Sequence, residues 1–216
     1  MKNLRESLTR PELEKEIQLN VRLNKYLILK RVFDLVIVFF LLPIAVPFLI
    51  LGMVSIKLFS KGPIFFIQER VGLNSKSFLI YKLRTMVHQP EFVDLNHTVK
   101  NDERIFKTGK ILRITKIDEI PQFLNIIKGE MSLIGPRPER SEIVNKLSID
   151  IPSYKLRHLL KPGLSGLAQI NNPTATPNES VEKLEYDLYY INNLNLNLDL
   201  KILWKTFFIV LKLDSL

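Results

Sequence analysis

The 216-residue chain contains no cysteine, which excludes disulfides and thiolate metal sites. A reducing compartment fits that absence without being required by it. Also missing are a P-loop, a GxGxxG turn, internal repeats and low-complexity tracts. The three histidines, His88, His97 and His158, show no HExxH or similar spacing. "GLSG" at 163–166 does not place glycines both two before and two after Ser165, so it is no nucleophile elbow. The phenylalanines sit mostly inside apolar runs, which argues against a nucleic-acid stacking platform.

Acidic residues are in deficit: the net charge is +9, which calls for an anionic partner such as lipid headgroups or a phosphorylated substrate. From Leu35 to Ile56, "LVIVFFLLPIAVPFLILGMVSI" carries no charge, long enough to enter a bilayer. Thirty-one charge-rich residues precede Val32, unlike a signal peptide. Pro43 and Pro47 each remove a backbone hydrogen bond and bend a helix. Lys25, Lys30 and Arg31 flank the segment on one side, Lys57 and Lys61 on the other, and basic flanks favour the cytoplasm. A helix broken near its middle, with both ends on one side, meets both demands. A single span and a soluble core helix are the alternatives. Asp34, at the edge, reads as an interfacial carboxylate paired with a nearby cation.

The domain expectations are an amphipathic extension over 1–31, a re-entrant membrane helix over 32–59 and a catalytic domain over 60–216. Residues 62–72 and 77–86 predict a β-hairpin around "LNSK", and the polar stretch "HQPEFVDLNHTVKNDERIFKTG" a loop. Helices are expected near 103–114 and 118–128, the second burying Ile120, Phe123, Leu124 and Ile127 and stopping at Lys128-Gly129. A helix near 140–160, loops at "KPGLSGLAQI" and "NNPTATPNES", and a helix over 181–190 follow. The amphipathic end, "LDLKILWKTFFIVLKL", suits a membrane interface.

"TKIDEIPQ" sets Asp118 beside Glu119 ahead of Pro121. Asp118 could simply N-cap a helix starting at Glu119, with Glu119 complementing the dipole. Alternatively one carboxylate attacks while the other holds a divalent cation, the usual way for a carboxylate to approach an anionic group. Cations stand in short apolar settings: Lys82 and Arg84 in "YKLRTM", Arg113, and Arg137 locked between prolines in "GPRP". Phosphoryl transfer at a bilayer surface is the chemistry implied.

"KRVFDL", "FIQERVG", "YKLRTM", "LRITKIDEIPQFLNIIKGEMSLIGPRP", "KPGLSGLAQ" and "LYYINNLNLNLDLKIL" stand in the order of a known family. The chain resembles the bacterial sugar transferases, the monotopic phosphoglycosyl transferases, from residue 29 to about 212. The resemblance implies an α+β, mostly helical fold. A re-entrant membrane helix hairpin would join a small cytoplasmic membrane-associated domain with a short β-hairpin and interfacial helices. It implies Asp118 as the nucleophile on the β-phosphorus of a UDP-sugar, releasing UMP in a ping-pong cycle that ends on polyprenyl (undecaprenyl) phosphate. It further implies Mg²⁺ on Glu119, phosphate contacts from Lys82, Arg113 and Arg137, and Asp187 near the site; Arg84 joins the phosphate-binding candidates from its place in "YKLRTM" alone. The expected place is the cytoplasmic face of the bacterial inner membrane, against its leaflet lipids, with no nucleic acid.

Two departures stand out. Val46-Pro47 replaces the family's Ser-Pro break, so hairpin angle and depth stay open, and "NNPTATP" replaces an Asn-Gly-Arg step, leaving sugar selectivity open. The chain resembles the family's minimal form. Its extension is expected to pack on the domain or mediate self-association, such as a homodimer. Competing readings are a UDP-releasing lipid glycosyltransferase and a non-catalytic basic membrane adaptor.

Overall fold

In the computed structural model, which describes residues 11–87, 102–172 and 180–212, the N-terminal pattern folds as helix α1, Pro11–Leu23. Ile17 and Val21, one turn apart, enter the main core, while Leu23 is exposed. Asn20 Nδ2 donates to Asn192 Oδ1 at 2.7 Å, so the extension packs on the domain. Residues 1–10, the side chain of Leu13, most of the polar loop (88–101) and 173–179 of "NNPTATPNES" lie outside the described residues.

Helix α2, Tyr26–Phe59, runs unbroken through Pro43 and Pro47. Its buried positions, Lys30, Asp34, Val38, Ala45, Gly52 and Ile56, fall on one stripe because they are spaced by four and seven. That stripe reaches both ends, so one body holds the whole helix. The other faces are apolar and open, with Phe39, Phe40, Ile44, Leu51 and Val54 exposed. Only 11% of the most apolar window is buried. A core helix is thereby ruled out, and the surface suits a membrane rather than water.

Asp34 is buried rather than interfacial. It lies 3.8 Å from Lys30, as the i,i+4 spacing predicts, but its shorter bonds come from Ser132 Oγ (2.7 Å) and Leu133 N (3.1 Å). Lys30 makes its own short contact, 2.6 Å, with fully buried Asp199.

The expected hairpin forms from β1, Phe65–Val71, and β2, Ser77–Leu83, in antiparallel register from Phe65↔Leu83 to Val71↔Ser77. Helix α3, Lys107–Ile114, begins later than expected because Asp102 turns the chain, accepting from the Arg104 amide, and Ile105 bridges to Met86. The helix expected over 118–128 divides into a 3₁₀ turn, Ile117–Glu119, and α4, Gln122–Lys128, which ends on left-handed Gly129 as read from sequence.

Helix α4 also corrects the expected stripe. Gln122, Phe123, Asn125 and Ile126 are its buried face, whereas Leu124 and Ile127 are each 46% exposed. Apolar spacing marks which side is apolar, not what covers it.

The segment expected as one helix from 140 to 160 stops at α5, Ser141–Asp150, and continues as a 3₁₀ helix, Pro152–Leu159. Pro152 forces Ile151 into an extended conformation (φ −134°), which breaks the helix. "KPGLSGLAQI" is not all loop: β4, Gly163–Ser165, pairs in parallel with β3, Ser132–Ile134, and α6 spans Leu167–Asn171. Helices α7, Ser180–Asn192, and α8, Leu196–Leu211, complete the fold, with the Asn195 side chain accepting from the Leu198 amide at the start of α8. On α8, Leu200, Trp204, Phe207 and Leu211 point outward while Ile202 is fully buried. The result is mostly helical with a small sheet component.

The 3₁₀ helix buries His158, whose Nδ1 lies 2.9 Å from Ser75 Oγ. Burial, with Arg157 and Lys155 adding to it, pulls this imidazole down to about 4 from its ordinary 6.5. A depressed folded value makes the stability complete above pH 6.5 and lost as pH falls toward 4, a contribution of about 3 kcal/mol. Melting temperature against pH should therefore drop over that window, and His158→Asn should flatten the drop.

Candidate active site

Lys116 adopts a left-handed conformation (φ 58°) that ends α3's trajectory and starts the 3₁₀ turn of Ile117–Glu119. A non-glycine residue there carries strain, which persists when the surroundings fix it. In a three-residue turn Asp118 and Glu119 point about 120° apart. Asp118 turns inward and is 8% exposed, and its Oδ1 has no hydrogen-bond partner. The N-cap expectation fails because α4 starts only at Gln122, with Pro121 at its cap and no side-chain cap bond.

Glu119 gathers the cations. Lys82 Nζ lies 2.7 Å and Arg137 Nη2 3.1 Å from the same oxygen, Oε1. Burial would raise the Glu119 carboxyl, yet Lys82 and Arg137 outweigh it and hold the group well below the usual carboxylate range. Asp118 goes the other way: burial, then the charge of Glu119, pushes it up to about 6 against Lys82, Lys116 and Arg113. Two adjacent carboxylates are thus driven apart, one firmly ionised and one basic enough to react, a pattern of catalytic pairs. Arg113 stands by: its Nε donates to Thr85 Oγ1 at 2.7 Å, and its charge acts on Asp118.

Arg137 owes its placement to its backbone. Four successive carbonyls of "PRPE" each accept from a different donor: Pro136 from Gly163 N (2.9 Å), Arg137 from Arg157 Nη2 (2.9 Å), Pro138 from Arg70 Nη1 (3.2 Å) and Glu139 from Val71 N (2.9 Å). Gly135 and Gly163 permit this, since a Cβ on Gly163 would stand 2.1 Å from Gly135 N. The Arg137 side chain, 46% exposed, is left facing outward from a fixed base.

Among the residues read from sequence, Lys82, Arg113, Asp118, Glu119 and Arg137 come together. Asp187 does not touch them. It pairs with Arg157 at 2.7 Å, and through Arg157 supports the Arg137 carbonyl. Arg84 sits elsewhere again: Nη1 and Nη2 donate to Lys61 O (2.6 Å) and Ser60 O (3.0 Å), tying down the chain where α2 ends. Arg84→Met is expected to cost about 1–2 kcal/mol of stability, by removing two charge-assisted bonds at the end of α2, with turnover within about threefold of wild type. Denaturation and initial-rate measurements check this together.

Sequence reasoning missed Thr85, Arg157 and Tyr154. Arg157 Nη1 donates to Tyr154 Oη at 2.6 Å, completing a buried cluster that no motif announced. A lone arginine in "KLRHLL" gives no signal of its partner 30 residues later. Among the described residues no group of three or more His, Asp or Glu stands ready to hold a metal. The site offers instead one ionised carboxylate beside an unpartnered buried carboxyl oxygen. That set fits Mg²⁺, which takes one or two carboxylates together with substrate phosphates and water.

Asp118 and Glu119 thus form a buried carboxylate pair beside Lys82, Arg113 and Arg137, in a chain that also carries a long apolar helix. The chain belongs to the bacterial sugar transferase family, whose model matches residues 25–213. It is 41% identical over 84% of its length to a UDP-N-acetylgalactosamine-undecaprenyl-phosphate N-acetylgalactosaminephosphotransferase of Aeromonas hydrophila, covering 43% of that protein. It is 38% identical over 84% of its length to a UDP-glucose:undecaprenyl-phosphate glucose-1-phosphate transferase of Klebsiella pneumoniae, covering 40% of it. Similarity also extends to the exopolysaccharide production protein PSS of Rhizobium leguminosarum bv. phaseoli, 38% identical over 83% of this chain and 94% of that one. The chain thus spans less than half the length of the first two relatives.

Proposed function

We propose that the protein transfers a sugar-1-phosphate from a UDP-sugar to undecaprenyl phosphate and releases UMP. The observation that carries this is the split of the carboxylate pair: Glu119 ionised under Lys82 and Arg137, Asp118 buried, unbonded at Oδ1 and raised to about 6. Names of the relatives support the substrate class.

Asp118 attacks the β-phosphorus, forming an aspartyl O–P bond as the bond from that phosphorus to the bridging oxygen breaks. UMP leaves with the electron pair. An oxygen of the polyprenyl phosphate then attacks the same phosphorus and the Asp118 carboxylate departs, giving a diphosphate-linked sugar. Lys82 and Arg137, resting on Glu119 in the free enzyme, shift toward the phosphate oxygens, and Arg113 screens the approach of Asp118 to an anion. Glu119 would hold Mg²⁺, which when bound supplies charge neutralisation at the diphosphate.

Topology follows the stripe on α2. With buried positions near both ends of the helix and both flanks basic, α2 is read as having both ends on the cytoplasmic side and its open apolar faces in one leaflet. The break expected at Pro43 and Pro47 is not seen, since the helix is continuous through both. Exposed Leu124, Ile127, Trp204 and Phe207 would rest in the cytoplasmic interface.

The test supplies Mg²⁺, undecaprenyl phosphate and a panel of UDP-sugars to the purified protein and identifies the nucleotide released. UMP is expected with one or a few donors. UDP would favour an ordinary glycosyltransferase, and no release with any donor a non-catalytic adaptor.

A further inference from the structure

Three neighbours crowd the one glycine on the buried stripe of α2. A Cβ on Gly52 would stand 2.8 Å from Leu83 Cδ1, 3.2 Å from Ile117 Cγ2 and 3.2 Å from Leu112 Cδ2. Each of these is the immediate sequence neighbour of a site residue: Leu83 follows Lys82, Leu112 precedes Arg113 and Ile117 precedes Asp118. They come from three different elements, β2, α3 and the 3₁₀ turn, which pack on one another and converge on the apolar helix at this glycine. Leu83 and Leu112 are 2% and 4% exposed and share a small core with fully buried Ile56, so these two have little room to retreat, while Ile117 is half-buried against them.

We propose that Gly52 is a positioning residue: its bare backbone is the common floor on which the segments bearing Lys82, Arg113 and Asp118 are seated. The apolar helix is therefore part of the catalytic scaffold as well as an anchor. This rests on the phosphoryl-transfer reading above. A side chain at position 52 pushes the three segments apart by a few tenths of an ångström, and displacements of that order slow reactions that depend on aligned groups. For the fold the exchange is close to balanced: alanine gains as the better helix former, against a packing strain of similar size from the crowded Cβ. Rate and stability should thus part company.

The experiment uses the full chain, UDP-N-acetylgalactosamine and UDP-glucose as probes, Mg²⁺ and no lipid acceptor, so each active enzyme releases one UMP. Burst amplitude then counts correctly folded sites, and burst rate reports the chemistry. For Gly52→Ala we expect full amplitude, a rate lower by about tenfold or more, and KM within about twofold. Adding Leu83→Val, which removes the crowded methyl, should bring the rate back to within about threefold of wild type. A wild-type rate in Gly52→Ala would overturn the proposal. So would a reduced amplitude at unchanged rate, which marks a folding defect, or a slow rate that Leu83→Val fails to restore. Absence of a burst in the wild type with a UDP-sugar that does support turnover once undecaprenyl phosphate is added refutes the aspartyl chemistry itself, and with it the reaction Gly52 is held to serve.

Discussion

Asp118→Asn is expected to lower UMP release by at least about a thousandfold while making the protein more stable. The amide is nearly isosteric but lacks the carboxylate oxygen that forms the bond to phosphorus, so the first half of the cycle cannot begin. The stability gain follows from the same environment. Burial and the neighbouring Glu119 charge lift Asp118 from 3.8 to about 6, so at pH 7 the fold carries an ionised group it disfavours. A raised carboxylate value means stability present below pH 3.8 and lost as pH rises through 6. Removing the charge should return roughly 1–3 kcal/mol at pH 7, read as a higher melting temperature without Mg²⁺. Lost activity with unchanged or lower stability would mean that the carboxylate is well accommodated, against the strained, reactive group described above.

The largest stability effect is expected far from the chemistry, at Asp199. Its carboxylate is fully buried and accepts from Lys30 Nζ (2.6 Å), Tyr26 Oη (2.8 Å) and Tyr190 Oη (2.7 Å). These bonds join the start of α2 to α7 and α8. Asp199→Ala leaves Lys30 buried with only Asp34, 3.8 Å away and already engaged by Ser132. Stranding a buried charge costs about 3–5 kcal/mol, most of it the penalty of the unpaired partner rather than the worth of the pair. The double variant Lys30→Met/Asp199→Leu should therefore recover much of the loss. Chemical denaturation of the single and double variants in detergent decides this, and equal losses in both would show that packing, not charge, holds the helix.

What the sequence displayed, and what it hid, divides along a physical line. Contiguous charge was legible: "IDEIPQ" and "GPRP" put charge and backbone stiffness in adjacent positions, and the structure brings Glu119 within 3.1 Å of Arg137. The β-hairpin and the Gly129 stop were also legible, since a turn and a left-handed cap depend on a few neighbouring residues. Partners distant in sequence were not. Whether Arg84 faces phosphate or the end of α2 depends on where β2 lands, and the three-residue strands β3 and β4 are too short to show a period. Asp118 as an N-cap was a fair local reading, defeated by the left-handed Lys116 that starts a 3₁₀ turn instead. The break before the 3₁₀ helix depends on one residue, Pro152, which holds Ile151 extended.

A bond between Asp118 and phosphorus would be seen in the mass of the protein and of its peptides. Wild-type protein would be incubated with Mg²⁺ and a UDP-sugar that supports turnover, with no undecaprenyl phosphate. The expected result is one UMP per chain and a mass increase equal to one sugar phosphate on the peptide containing Asp118, removed when undecaprenyl phosphate is added. If no UMP and no adduct form until the lipid acceptor is present, the phosphosugar passes directly between substrates and Asp118 is not the nucleophile.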